Sequence, residues 1–268
     1  LLGSVFAKSI RDRLKALAWW AVGIGGFVLL SQGFWPFVDD QRDQLEEVIK
    51  AFPPELMAIF GVEEGGDPFS PTGYMSSRGF GWIIPVVLSL YAASLLARTI
   101  AGEEEENTLD LLAANPVSRT RILVEKWAAL VVVLVVLGAV LVGALIVGDR
   151  VFGLGIPPTG YAGAATMAVL LALGFGTLAL VLGAWGVSRG AAMGATAAAA
   201  VTSFLLNSLG AAVPELETVR RISPFYYYES TTPLRNGLDP LHSAILGGIV
   251  LVLLLLAIPG FRRRDLGV

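Results

Sequence analysis

The sequence predicts an all-α, polytopic membrane protein with six transmembrane helices, and three observations carry that reading. Of 268 residues, 55% are hydrophobic and only 15% charged, with a mean hydropathy of +0.71, whereas a soluble domain carries about 25% charged residues. Six stretches contain no Asp, Glu, Lys or Arg: 16–38, 79–97, 127–148, 161–188, 190–213 and 241–261. They hold 23, 19, 22, 28, 24 and 21 residues, 137 in all, and a helix needs about 20 apolar residues to cross a hydrocarbon core. The third observation is that the basic residues concentrate in alternate connections, which sets orientation.

With the N-terminus inside, segments 1–15, 98–126, Arg189 and 262–268 face the cytoplasm, and these 52 residues carry 12 basic side chains. The opposite connections, 39–78, 149–160 and 214–240, have 79 residues and only 7 basic ones. Both termini are therefore expected in the cytoplasm. The first stretch is too long for a cleaved signal and has no small-residue processing site after it. Residues 1–268 read as a single transmembrane domain.

The leading segment LLGSVFAKSIRDRLKAL places Leu2, Phe6, Ile10, Leu14 and Leu17 at helical spacing, with Lys8, Arg11, Asp12 and Lys15 on the other side. This is an amphipathic interfacial helix, whose basic residues suit either anionic headgroups or a docking partner. The connection 39–78 sets Leu45, Val48, Ile49 and Phe52 at helical spacing, breaks at Pro53-Pro54, and resumes in ELMAIF before Gly61. A small external helical cap is expected there. The fourth and fifth stretches, separated only by Arg189, total 53 residues with it and must fold as a tight hairpin. In 214–240, Tyr226, Tyr227 and Tyr228 are expected as aromatic anchors at the membrane interface.

The connection 98–126, RTIAGEEEENTLDLLAANPVSRTRILVEK, is the most informative. Glu103, Glu104, Glu105 and Glu106 precede a short helix bearing Leu109, Leu111 and Leu112; Asn115-Pro116 breaks it, and Ser118 suits the N-cap of the next helix. Leucines on a short helix beside the membrane need a covering surface, from a partner or from the inner ends of the chain's own spans. The glutamates suit a solvated face, or a helix start paired with basic residues elsewhere.

Composition also excludes chemistry. With no cysteine and one histidine, His242, there is neither a disulfide framework nor a thiolate or histidine-cluster metal site. A net charge of −3 without a basic stripe gives no case for nucleic acid. The spans lack the mid-membrane ionisable groups of a proton pump, and no metal-hydrolase or Ser/His pattern occurs. None of the four lysines (Lys8, Lys15, Lys50, Lys126) follows a glycine, so the chain has no phosphate loop. The spans carry glycines instead, among them Gly23, Gly25, Gly26, Gly174, Gly176, Gly183, Gly186, Gly190 and Gly194. These serve close packing within the chain, or sliding of helices during a cycle.

The inner segment EEEENTLDLLAANPVSRTRILVEK resembles the coupling segment of ATP-binding-cassette exporter permeases of the second type, ABC-2, a fold also called type V. It is similar to their E-x-x-x-G-T-L-E-L-L-L-x-x-P-V-S-R stretch. Glu103 matches the leading acid, Thr108 and Leu109 the T-L pair, Asp110 the second acid, Leu111 and Leu112 the leucine pair, and Pro116 to Arg119 the P-V-S-R end. Asn107 stands in place of the glycine, which Asn, the next most tolerant of a left-handed turn, can replace. The ISPFYYY stretch from Ile222 with Pro233, Leu234 and Gly237, and the FRRRDL stretch from Phe261, are similar to the family's external segment and ending.

The resemblance implies a permease without catalytic residues or cofactor of its own, paired with a second copy or a paralogue in a bacterial plasma membrane. Two separate ATPase subunits would bind ATP and Mg and drive alternating access. The implied ATPase contacts are Glu103, Glu104, Glu105, Glu106, Thr108, Leu109, Asp110, Leu111, Leu112, Pro116 and Arg119. The charge-free spans favour a lipophilic or amphipathic cargo such as a drug, antibiotic, peptide or lipid. The competing readings are an ion-coupled secondary carrier and a non-transporting membrane scaffold or sensor.

Overall fold

A computed structural model describes residues 5–49, 67–99 and 118–263. Among these the chain is helical without strands. Six helical segments are long and apolar enough to cross a membrane: Leu14–Asp40, Pro71–Ala97, Arg119–Phe152, Pro158–Ala184, Arg189–Ala211 and Pro240–Arg263. The protein is a multi-pass membrane protein.

The N-terminal helix α1 (Val5–Arg11) is separate from the first span, α2 (Leu14–Gly33). The chain breaks again at Phe34 and continues as α3 (Trp35–Asp40) and α4 (Arg42–Ile49), where Arg42 pairs with Glu46 one turn on and with Asp67 across the cap. The ELMAIF helix expected in the cap lies outside the described residues.

The second span starts earlier than its charge-free stretch. A short helix α5 (Pro71–Met75), with its first turn capped by Ser70, leads through a π-helical turn, Ser76–Phe80, into α6 (Ile83–Ala97). Arg78 is accommodated because its guanidinium lies over the Tyr74 ring at 5.7 Å. The third span, α7 (Arg119–Phe152), is one helix of 34 residues. Ser118 caps it, its hydroxyl accepting the Arg121 amide at 3.3 Å. Gly153, with φ of +72°, ends it in the left-handed conformation that glycine adopts most readily.

The fourth span, α8 (Pro158–Ala184), and the fifth, α9 (Arg189–Ala212), are joined by the tight turn Trp185–Ser188, which falls just before Arg189. Gly186 takes a φ of +96° there, and the Ser188 hydroxyl accepts the Ala191 amide. The indole of Trp185 donates to the Leu256 carbonyl at 3.0 Å, tying the turn to the sixth span. Short helices α10 (Glu217–Arg220), α11 (Pro224–Glu229) and α12 (Pro233–Asn236) precede that span, α13 (Pro240–Arg263).

The fourth span is the core of the bundle. It packs against the second, third, fifth and sixth spans, whereas the first rests mainly on the third. Close approach of the second and fourth spans depends on Gly176, where a Cβ would fall 2.9 Å from that of Ala92. Gly190 and Gly194, by contrast, would meet nothing within 4 Å, so that pair packs against no other part of the chain among the described residues.

The tyrosines correct one expectation. Tyr228 is not an interfacial anchor: it and Phe225 are buried, and its hydroxyl donates to the Phe80 carbonyl. That carbonyl lies at the end of the π-helical turn, just before the backbone breaks at Trp82, and the phenol satisfies it. Tyr226 and Tyr227 are half-buried and pack against the His242 ring.

Candidate functional site

The two sides of the expected coupling segment converge at one end of the bundle. Of the residues singled out there, Glu103, Glu104, Glu105, Glu106, Thr108, Leu109, Asp110, Leu111, Leu112 and Pro116 lie outside the described residues. Arg119 is the first residue of α7, directly after the Ser118 cap.

Thr99, the last described residue of the second span, is held from two directions. Its carbonyl accepts the Lys126 ammonium at 2.9 Å, and its hydroxyl accepts an Arg13 guanidinium nitrogen at 3.3 Å while donating to Leu95. A cation on the carbonyl end of a helix is favoured by the helix dipole. Lys126 is buried, which sequence reasoning missed by treating it as loop charge beside an apolar stretch. The one available signal is that Lys126 directly precedes the apolar run from Trp127 on the same helix.

Its neighbour Glu125 points elsewhere, since consecutive helical residues are rotated by about 100°. One Glu125 oxygen accepts the Phe6 amide at 3.0 Å and the other the Arg121 guanidinium at 2.7 Å. The third span thereby holds the start of α1 with one carboxylate and the end of the second span with one ammonium. Trp127 adds a bond to the Thr177 hydroxyl of the fourth span at 3.0 Å. Whatever moves the base of α7 therefore acts on α1 and on the second and fourth spans.

A second polar cluster lies at the opposite end. Gln32 of the first span, fully buried, donates to the Leu145 carbonyl at 3.1 Å and contacts the Tyr161 hydroxyl. Tyr161 donates to Asp149 at 2.9 Å, and Asp149 also accepts the Ile156 amide. Asn207 of the fifth span donates to Glu229 of α11. At the start of the sixth span, Asp239 accepts the His242 amide at 2.7 Å, an N-cap bond. The first two of these join helices, whereas the third caps one. Among the described residues no three His, Asp or Glu side chains gather as a metal site would require.

The arrangement is a helical bundle whose second and third spans are tied together at one end. The model of the ABC-2 family transporter proteins matches residues 4–266, nearly the whole chain. The chain belongs to the ABC-2 transporter family. No curated protein matches it. Within that family it is a membrane transport subunit, and its six spans form the membrane part of an ATP-binding-cassette transporter.

Proposed function

We propose that this chain is the permease half of an ATP-binding-cassette exporter, pairing with a second copy or a paralogue and with two separate ATPase subunits. Both termini lie in the cytoplasm of a bacterial cell, and ATP with Mg is bound on the partner subunits. Closure of the ATPase pair displaces segment 100–117, and alternating access carries a lipophilic or amphipathic cargo outward.

The observation that carries this reading is the framing of segment 100–117. Its two flanks, Thr99 and the start of α7, are fixed to each other by Lys126 and to the N-terminal segment by Arg13 and Glu125. A push delivered to a segment so framed passes into rigid helices rather than dissipating in a loop. Leu109, Leu111 and Leu112 would fill a groove on the ATPase, with Glu103–Glu106 and Arg119 around it. The apolar spans favour an uncharged or amphipathic cargo.

The test is co-purification. Replacing both Leu109 and Leu112 with Asp should abolish recovery of the ATPase with the tagged permease while leaving the permease in the membrane. Undiminished recovery overturns the assignment of this segment.

A further inference from the structure

An apolar groove of about 360 Å³ runs between the first and second spans. Trp20, Gly23 and Phe27 line it from α2, Ile84, Val87 and Leu88 from α6. From Trp19 to Phe27 it covers eight helical steps, about 12 Å at 1.5 Å each, close to the roughly 15 Å depth of one leaflet's hydrocarbon. Gly23 opens its middle, since a Cβ there would meet nothing within 4 Å.

Beyond the end of the groove nearer the N-terminus the surroundings become polar and positive. Trp20 stacks against Tyr91 with ring centroids 4.5 Å apart, and the Tyr91 hydroxyl is buried without a partner among the described residues. Two helical turns before Trp20 stands Arg13, its guanidinium on Thr99. Lys8, Arg11 and Lys15 are exposed around it, and Asp12 is the one acid between Lys8 and Lys15. Trp19, three-quarters exposed at 75%, edges the groove at a depth suited to an interfacial indole.

We propose that this groove seats one anionic phospholipid of the leaflet bordering α1, with an acyl chain along Gly23 and the headgroup at Arg13 and the α1 cations. The pattern of an apolar slot ending in excess positive charge matches that ligand and not a zwitterionic lipid or an apolar helix. The site takes nothing from the export reading and would exist in a resting transporter. A groove between the first two spans, held where Arg13 joins them, makes the bound lipid a spacer that sets their separation.

The experiment uses the full-length permease, delipidated in detergent and examined by native mass spectrometry with phosphatidylglycerol or phosphatidylcholine of identical acyl chains. The expected result is retention of one phosphatidylglycerol per chain in preference to phosphatidylcholine. Gly23→Leu and, independently, Val87→Trp should lower that retention about ten-fold. Arg13→Gln should lower the preference about five-fold, the effect of one basic residue at a membrane surface. Equal retention of the two lipids, or retention unchanged in both groove-filling variants, overturns the proposal. So does a covalent dimer formed by Gly23→Cys under oxidation in native membranes, which would place a second copy in the groove.

Discussion

The carboxylate of Glu125 accepts the backbone amide of Phe6 at 3.0 Å across 119 residues of sequence, fastening the N-terminal helix to the base of the third span. The same side chain holds Arg121 one turn back. A helix of seven residues is too short to persist alone, so α1 owes its position to this contact and to packing on α7.

Glu125→Ala should therefore loosen α1 without unfolding the bundle. A charge-assisted hydrogen bond contributes about 1.5–3 kcal/mol, so amide exchange over Val5–Arg11 should accelerate at least about ten-fold. Exchange in the spans should not change. Equal exchange at α1 in both proteins would show that packing alone holds it.

Gly176 and Gly194 make a contrasting pair. Gly176→Ala forces a Cβ against Ala92 between two packed helices and should destabilise by about 1–3 kcal/mol. Gly194→Ala meets open space and should change the stability of the single chain by no more than about 0.5 kcal/mol. Thermal unfolding in detergent, followed by loss of soluble monomer, compares them directly.

Tyr228→Phe removes the donor to the Phe80 carbonyl and little else. Burial and the nearby Glu229 push the Tyr228 phenol well above its usual range, so it stays protonated, and a donor, throughout the neutral range. A buried carbonyl left unsatisfied costs about 1–3 kcal/mol. The variant should unfold at lower temperature and be cut sooner by protease in the π-helical turn, whereas Tyr226→Phe should not.

The orientation can be tested directly because the chain has no cysteine. Single cysteines at Arg235 or Leu238 should react with a membrane-impermeant maleimide on intact cells. One at Val187, in the turn between the fourth and fifth spans, should react only after permeabilisation. The reverse pattern would place both termini outside.

The six long apolar helices were legible because a hydrocarbon core tolerates few charges, and each charge-free run falls mostly within one of them. Ser118 was legible too, since a cap is a local event read from its own neighbours. Arg78 and the far end of α7 were misjudged because a charged residue can remain helical and find a partner, as Arg78 does over Tyr74. Tyr228 was misjudged for a different reason. Three tyrosines near a span suit an aromatic belt, but α11 folds back into the bundle and buries one of them. Glu125 and Lys126 show the remaining limit: local pattern gives no sign of partners at Phe6 and Thr99.

The third span, at 34 residues, is about 51 Å long by helical rise, well beyond a hydrocarbon thickness of about 30 Å. Its charged ends, Lys126 and Asp149, bracket 22 uncharged residues, or about 33 Å. A thinner bilayer must tilt this helix and a thicker one must straighten it. Because its first turns carry the ties to α1 and to Thr99, the acyl-chain length of the host membrane sets the resting angle of everything fastened to that end.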